Sequence, residues 1–157
     1  MIDFVLTDTS GVKEPLHDFV GKGHYVLVDI WASWCSACRR GIPHIKEAYA
    51  LYHSRGLDIV SVSIDTKRKN WIEAVRQEAM PWPQVAANLL SDAELLKYGR
   101  VPEYATLCSS GDFLGAYLGI GVPLGLLFDP QGKLVARFYL APLGYMDKAL
   151  KDLYGGD

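Results

Sequence analysis

The chain has 157 residues, 50% of them hydrophobic, and a formal net charge of −2. That length suits one domain with a packed core, and the near-neutral charge offers neither a basic surface for nucleic acid nor an acidic patch. No apolar run approaches a membrane span, and three cysteines, a small and odd number, exclude a disulfide-stapled scaffold.

The opening MIDFVLTDTS starts directly on a strand-like pattern, without the basic, apolar and small-residue order of a leader peptide. Two origins fit: a cytosolic protein, or a sequence trimmed of its targeting segment. Residues 1–20 read as a hairpin or irregular lead-in, strand-like at Asp3–Leu6 and turn-rich over Thr7–Lys13. Gly21–Lys22–Gly23 then marks a turn. YVLVDIWA, Tyr25–Ala32, is apolar except for Asp29 and predicts a strand buried on both faces. Ile42, Ile45, Tyr49 and Tyr52 share one helical face, with His53 and Arg55 suited to the last turn and Gly56 to the stop. Leu57–Asp65 alternates and predicts a second strand. Trp71, Ile72, Val75 and Ala79 predict a second helix, ended by Met80–Pro81. Strand, helix, strand, helix at this spacing implies a parallel pair.

The middle is the least legible part. Ser91–Glu94 reads as a capping box opening a short helix to about Tyr98. Residues 84–119 as a whole read as an insertion. After it, LGLLFD, the turn Pro130–Gln131–Gly132 and KLVARFYL predict an antiparallel hairpin. Met146, Ala149, Leu150 and Leu153 supply a last helix.

The stretch WASWCSACRRGIP, Trp31–Pro43, holds Cys35 and Cys38. Structural zinc needs four ligands, and one CxxC supplies two, with His44 out in the helix body. A bridge across so few residues removes little chain entropy, so a purely structural disulfide is weakly supported. The redox reading has positive support. The pair follows a buried strand and opens a helix, where free backbone N–H groups and the helix dipole favour thiolate over thiol. Arg39 and Arg40 add positive charge, and read as a solvated helix face. Cys38 lies one turn on, within disulfide reach. Cys35 is thus the expected attacking thiol, with a depressed pKa, and Cys38 the resolving one. Pro43 is expected to kink the helix just beyond them.

VDIWASWCSACRRGIP resembles the active-site segment of the thioredoxin superfamily, closest to the TlpA-like thiol–disulfide oxidoreductases. The lead-in DFVLTDTSG…LHDFVGKG is similar to the hairpin that branch adds, and GVPLGLLFDPQGKLVARF is similar to its cis-proline, strand, turn and strand. Residues 84–112 match poorly. The resemblance implies a single thioredoxin-like α/β domain over residues 1–157, with a central mixed sheet flanked by helices. It implies that Val122–Pro123 is the cis-proline pair facing the cysteines, its backbone holding extended substrate; Val101–Pro102 is the competitor. It also implies that Asp29 is the buried acid beneath the site, taking the proton of Cys38, and burial should raise its pKa. By alignment Ser61 stands where a basic partner is often found, and Trp34 shapes the substrate surface. The Ser36–Ala37 dipeptide lacks the proline or histidine of many relatives and leaves the redox poise open.

The function this implies is dithiol–disulfide exchange with protein substrates, in the reducing direction, with an upstream electron donor. No cofactor is expected beyond the Cys35–Cys38 disulfide, and a monomer is expected. The bacterial periplasm or cell envelope is the implied compartment, with the cytoplasm as alternative. A non-catalytic binding or Cu(I)-delivery module is the rival from another class. Peroxiredoxins share the wider fold, but their peroxidatic cysteine needs a threonine where Ala32 stands. Trp31, Trp71 and Trp82 read as packing, and Cys108 as a small apolar filler. His17, His24, His44 and His53 lie too far apart in sequence to argue a ligand set.

Overall fold

The structure, a computed structural model, describes residues 3–89, 91, 93, 121–141 and 144–155. Val5–Asp8 (β1) and Lys13–Pro15 (β2) pair antiparallel as the N-terminal hairpin. Its turn is closed by Asp8, whose Oδ1 accepts the N–H groups of Ser10 and Val12, both at 2.9 Å. Tyr25–Trp31 (β3) is buried along nearly its whole length, as its apolar run predicts.

Ser36–Tyr52 (α1) follows β3 and passes through Pro43 without ending there. Pro43 lies on the exposed side of the helix, where its missing N–H is tolerated. A short 3₁₀ turn at His53–Arg55 leads to Gly56 at φ 102°, the left-handed stop the sequence anticipates. Leu57–Ser63 (β4) then pairs parallel with β3, completing the βαβ unit. Val60 and Ser61 are as buried as Ile59 and Val62, so the strand has no wet face. Arg68–Glu78 (α2) ends at Ala79 in the left-handed region, and Trp71 from this helix is fully buried.

Gln84–Ala86 (β5) lies parallel to β4 and antiparallel to β1. These residues stand at the start of the expected insertion, yet they form the strand that ties the hairpin into the sheet. Three residues are too short to show a period; their strand character comes from neighbours on both sides. The remaining sequence expectations for the middle, the capping box helix included, lie outside the described residues. Leu124–Phe128 (β6) and Leu134–Tyr139 (β7) form the predicted hairpin, and Gly144–Tyr154 (α3) is the last helix.

Among the described residues the strands form one mixed seven-stranded sheet in the order β2-β1-β5-β4-β3-β6-β7. β3 is central, between parallel β4 and antiparallel β6. Leu27, Ile30, Trp31, Ile42, Ile45, Ile59, Trp71 and Phe128 are all under 3% exposed and make the core. No helix among the described residues is long and apolar enough to cross a membrane. Gly125 of β6 stands opposite Asp29, and a Cβ there would meet Phe138 Cε2 at 2.7 Å. Gly125→Ala is expected to force the Phe138 ring aside and cost about 1–3 kcal/mol, read by urea unfolding.

Candidate active site

β3 delivers the chain to the site, and the loop after it is fixed by its own backbone. The Cys35 N–H donates to the Ala32 carbonyl at 3.1 Å, and the Ile64 N–H donates to the Trp31 carbonyl at 2.9 Å. Cys35 has extended backbone angles and is the N-cap of α1. Its Sγ accepts the Cys38 N–H at 3.1 Å, as a capping serine oxygen would. Cys35 and Cys38 are joined as a disulfide, with Cα atoms 5.3 Å apart. Cys35 is 8% exposed and Cys38 3%, so the first sulfur is the one nearer the surface. Trp34 beside it is 42% exposed.

The Val122–Pro123 peptide is cis, and the Val122 carbonyl oxygen lies 3.8 Å from Cys35 Sγ. The antiparallel pairing of β6 with β3 brings it there. The structure thus gathers Trp34, Cys35, Cys38, Val122 and Pro123 at one end of the sheet. Val101–Pro102 and Cys108 lie outside the described residues.

Asp29 is 2% exposed in β3, with Ser61 opposite it on β4 and Gly125 on β6. Burial pushes its carboxyl up to about 6, against a smaller lowering by the Ser61 hydroxyl. Ser61 Oγ donates to Asp29 Oδ2 at 2.7 Å and accepts the Trp82 indole N–H at 2.7 Å. Among the described residues no basic side chain shifts Asp29.

A second buried acid escaped the sequence reading. Asp65, fully buried, accepts the Ser33 N–H at 2.9 Å and the Ser33 and Ser63 hydroxyls at 2.5 Å each. It pins the residue before Trp34 to the end of β4. The signal was present in SVSID, where polar residues occupy a strand end with no room for water. Asp65→Ala would leave the buried Ser63 hydroxyl and the Ser33 N–H without their acceptor. The expected loss is about 3 kcal/mol, read by chemical denaturation. Arg39 also departs from expectation. It is not a free solvated side chain: Nε donates to Glu78 Oε1 at 2.7 Å and a terminal nitrogen to Gln77 Oε1 at 2.6 Å. Its other terminal nitrogen reaches the Ser33 carbonyl at 3.4 Å. A helix face that looks wet in sequence here meets the end of α2. Arg40 remains exposed.

The histidines are dispersed. His44 Nε2 lies 2.9 Å from Asp147 on α3, His17 pairs with Asp3, and His24 and His53 both approach Asp58. Among the described residues no group of three His, Cys, Asp or Glu side chains could hold a metal ion.

This sheet order, with a CxxC disulfide capping the helix after the first parallel strand and a cis-proline loop facing it, defines a thioredoxin-like protein. Residues 1–142 match the AhpC/TSA family, and the chain belongs to that family. It is 26% identical over 133 residues to the thiol-disulfide oxidoreductase ResA of Bacillus thuringiensis subsp. konkukian, covering 85% of this chain and 64% of that protein. The ResA of Geobacillus thermodenitrificans is 32% identical over 100 residues, covering 64% of this chain and 55% of that one. The chain therefore spans less than two thirds of the length of these curated relatives. The crystal structure of the thioredoxin domain of a Bacteroides vulgatus thiol-disulfide oxidoreductase superposes with TM-score 0.68 at 28% identity, over 95% of this chain and 93% of that one. A thiol:disulfide interchange protein from Bacteroides sp. gives 0.65 at 28%, over 94% and 85%.

Proposed function

We propose that the chain is a dithiol–disulfide oxidoreductase that reduces disulfides in protein substrates. The observation that carries this reading is the position of Cys35 Sγ, at the head of α1 with the Cys38 N–H pointing at it and the Val122 carbonyl beside it. A helix N-terminus and a donated N–H both stabilise a thiolate. In the reduced form Cys35 thiolate attacks one sulfur of a substrate disulfide. A Cys35–substrate bond forms, the substrate S–S bond breaks, and one substrate thiolate leaves. Cys38 then loses its proton to Asp29 and attacks Cys35 Sγ. The internal disulfide forms and the second substrate thiolate leaves, so the substrate has gained two electrons. An upstream dithiol donor restores the reduced pair.

The backbone at Val122 gives an extended substrate segment a strand-like edge to pair with, and exposed Trp34 offers a flat apolar contact. Support for protein substrates comes from this open geometry and from the thiol–disulfide oxidoreductase activity for which the relatives are named. The resemblance to TlpA-like proteins supports a role in the cell envelope. The test is reduction of a disulfide-linked protein such as insulin, together with the potential of the Cys35–Cys38 couple. Turnover with a potential near or below that of thioredoxin, about −270 mV, supports the reductase. A folded, dithiol-loaded chain without turnover would remove this reading, and a potential near −120 mV would reverse its direction.

A further inference from the structure

Asp29, the acid proposed above to take the Cys38 proton, has an unusual neighbour for a group that gains and loses one. Ser61 Oγ has one hydrogen and two lone pairs. Trp82 Nε1, a donor only, takes one lone pair at 2.7 Å. The hydrogen has two acceptors in reach, Asp29 Oδ2 at 2.7 Å and the Met80 sulfur at 3.7 Å. The second lone pair is left for Asp29. Ser61 is fully buried, Trp82 4% exposed and Met80 8% exposed, so water does not stand in for any of them.

We propose that Ser61, held by Trp82 and Met80, is the positioning residue that carries Asp29 through both of its protonation states. With Asp29 ionised, the Ser61 hydroxyl donates to the carboxylate. With Asp29 protonated, the acid donates to Ser61 Oγ and the hydroxyl turns to the Met80 sulfur. The Trp82 N–H stays in place throughout and keeps the oxygen from rotating away. A neutral hydroxyl thus does what a fixed cation could not: it satisfies the acid before and after proton uptake. A cation would hold the acid ionised and oppose that uptake. Among the described residues no titratable side chain shifts Asp29. β4 presents Ser61, the segment before β5 presents Met80 and Trp82, and β6 presents Gly125. The cysteine pair at the head of α1 is the redox couple it serves. This inference rests on the proposed exchange chemistry for its purpose, but its test does not.

The test is the titration of the Asp29 side-chain carboxyl by carbon NMR in the disulfide form, where neither cysteine titrates and no turnover is needed. Three variants are compared after thermal unfolding has shown each to be folded. Ser61→Ala removes the bond to the carboxylate, and the midpoint is expected to rise by about one pH unit. Trp82→Phe keeps a ring but loses the N–H that polarises the hydroxyl, and the midpoint is expected to rise by less. Met80→Leu conserves volume but removes the acceptor used by the protonated state, so the midpoint is expected to fall. Loosened packing that admits water would lower all three, so the opposite signs separate positioning from a merely structural effect. A fall in Ser61→Ala or Trp82→Phe, no movement in either, or a rise in Met80→Leu overturns the proposal. If Ser61→Ala does not fold, the signs of the other two decide. Absence of reductase turnover in the parent, with these shifts intact, would overturn the proposed function alone.

Discussion

Cys35→Ser is expected to abolish disulfide reduction, and Cys38→Ser to leave the chain covalently joined to its substrate. The two sulfurs differ in access and in support. Cys35 is the less buried, caps α1 and faces the Val122 carbonyl, whereas Cys38 lies one turn inside the helix. A substrate sulfur can approach the first far more readily than the second. Without Cys35 no mixed disulfide forms, and turnover falls to the uncatalysed level. Without Cys38 the first step proceeds but no internal thiolate displaces the bound substrate. The adduct should accumulate in proportion to enzyme, and mass spectrometry under non-reducing conditions should find it at Cys35. An adduct carried instead by Cys38 in the Cys35→Ser chain would reverse the assignment. So would undiminished turnover in either variant.

Asp29→Asn is expected to move activity and stability in opposite directions. Amide in place of acid keeps the shape and the contact with Ser61 but cannot take the Cys38 proton. Loss of general-base help at that step is expected to slow substrate release on the order of 100-fold or more. The stability effect follows from burial. Folding raises the Asp29 carboxyl from 3.8 to about 6, because a charge in this dry position is poorly solvated. Below 3.8 the group is protonated in folded and unfolded chains alike, and the burial carries no ionisation cost. Between 3.8 and about 6 the folded chain binds the extra proton, so stability falls as pH rises. Above about 6 the loss is complete and amounts to about 3 kcal/mol. Asn is neutral throughout. The variant should therefore be more stable than the parent by up to about 3 kcal/mol near pH 8, and close to it near pH 4. Urea unfolding at the two pH values checks this. A difference that does not change with pH would show that Asp29 ionises without strain.

Legibility varied along the chain for physical reasons. β3 was readable from its unbroken apolar run, and α1, α2 and the β6–β7 hairpin because each carries a period or a clear turn. Asp29 stood out because a single acid inside an apolar strand has few places to go. Asp65 did not stand out, since an acid after a strand reads as an ordinary turn residue. Arg39 was misread because charge on a helix predicts water unless another helix end is known to arrive there. β5 was invisible because three residues cannot alternate convincingly.

The sequence by itself determined the redox pair and its setting: two cysteines one helical turn apart, between a buried strand and a helix start. It also determined the parallel βαβ unit, since connection length and hydrophobic period are local properties. Tertiary structure alone decided what surrounds the pair. The contact of Val122 with Cys35 spans 87 residues, and those of Ser33 with Asp65 and Asp29 with Ser61 each span 32. Such contacts depend on strand order and register, which no local pattern encodes. They decide which sulfur meets solvent, how its loop is held, and which groups meet the buried acid.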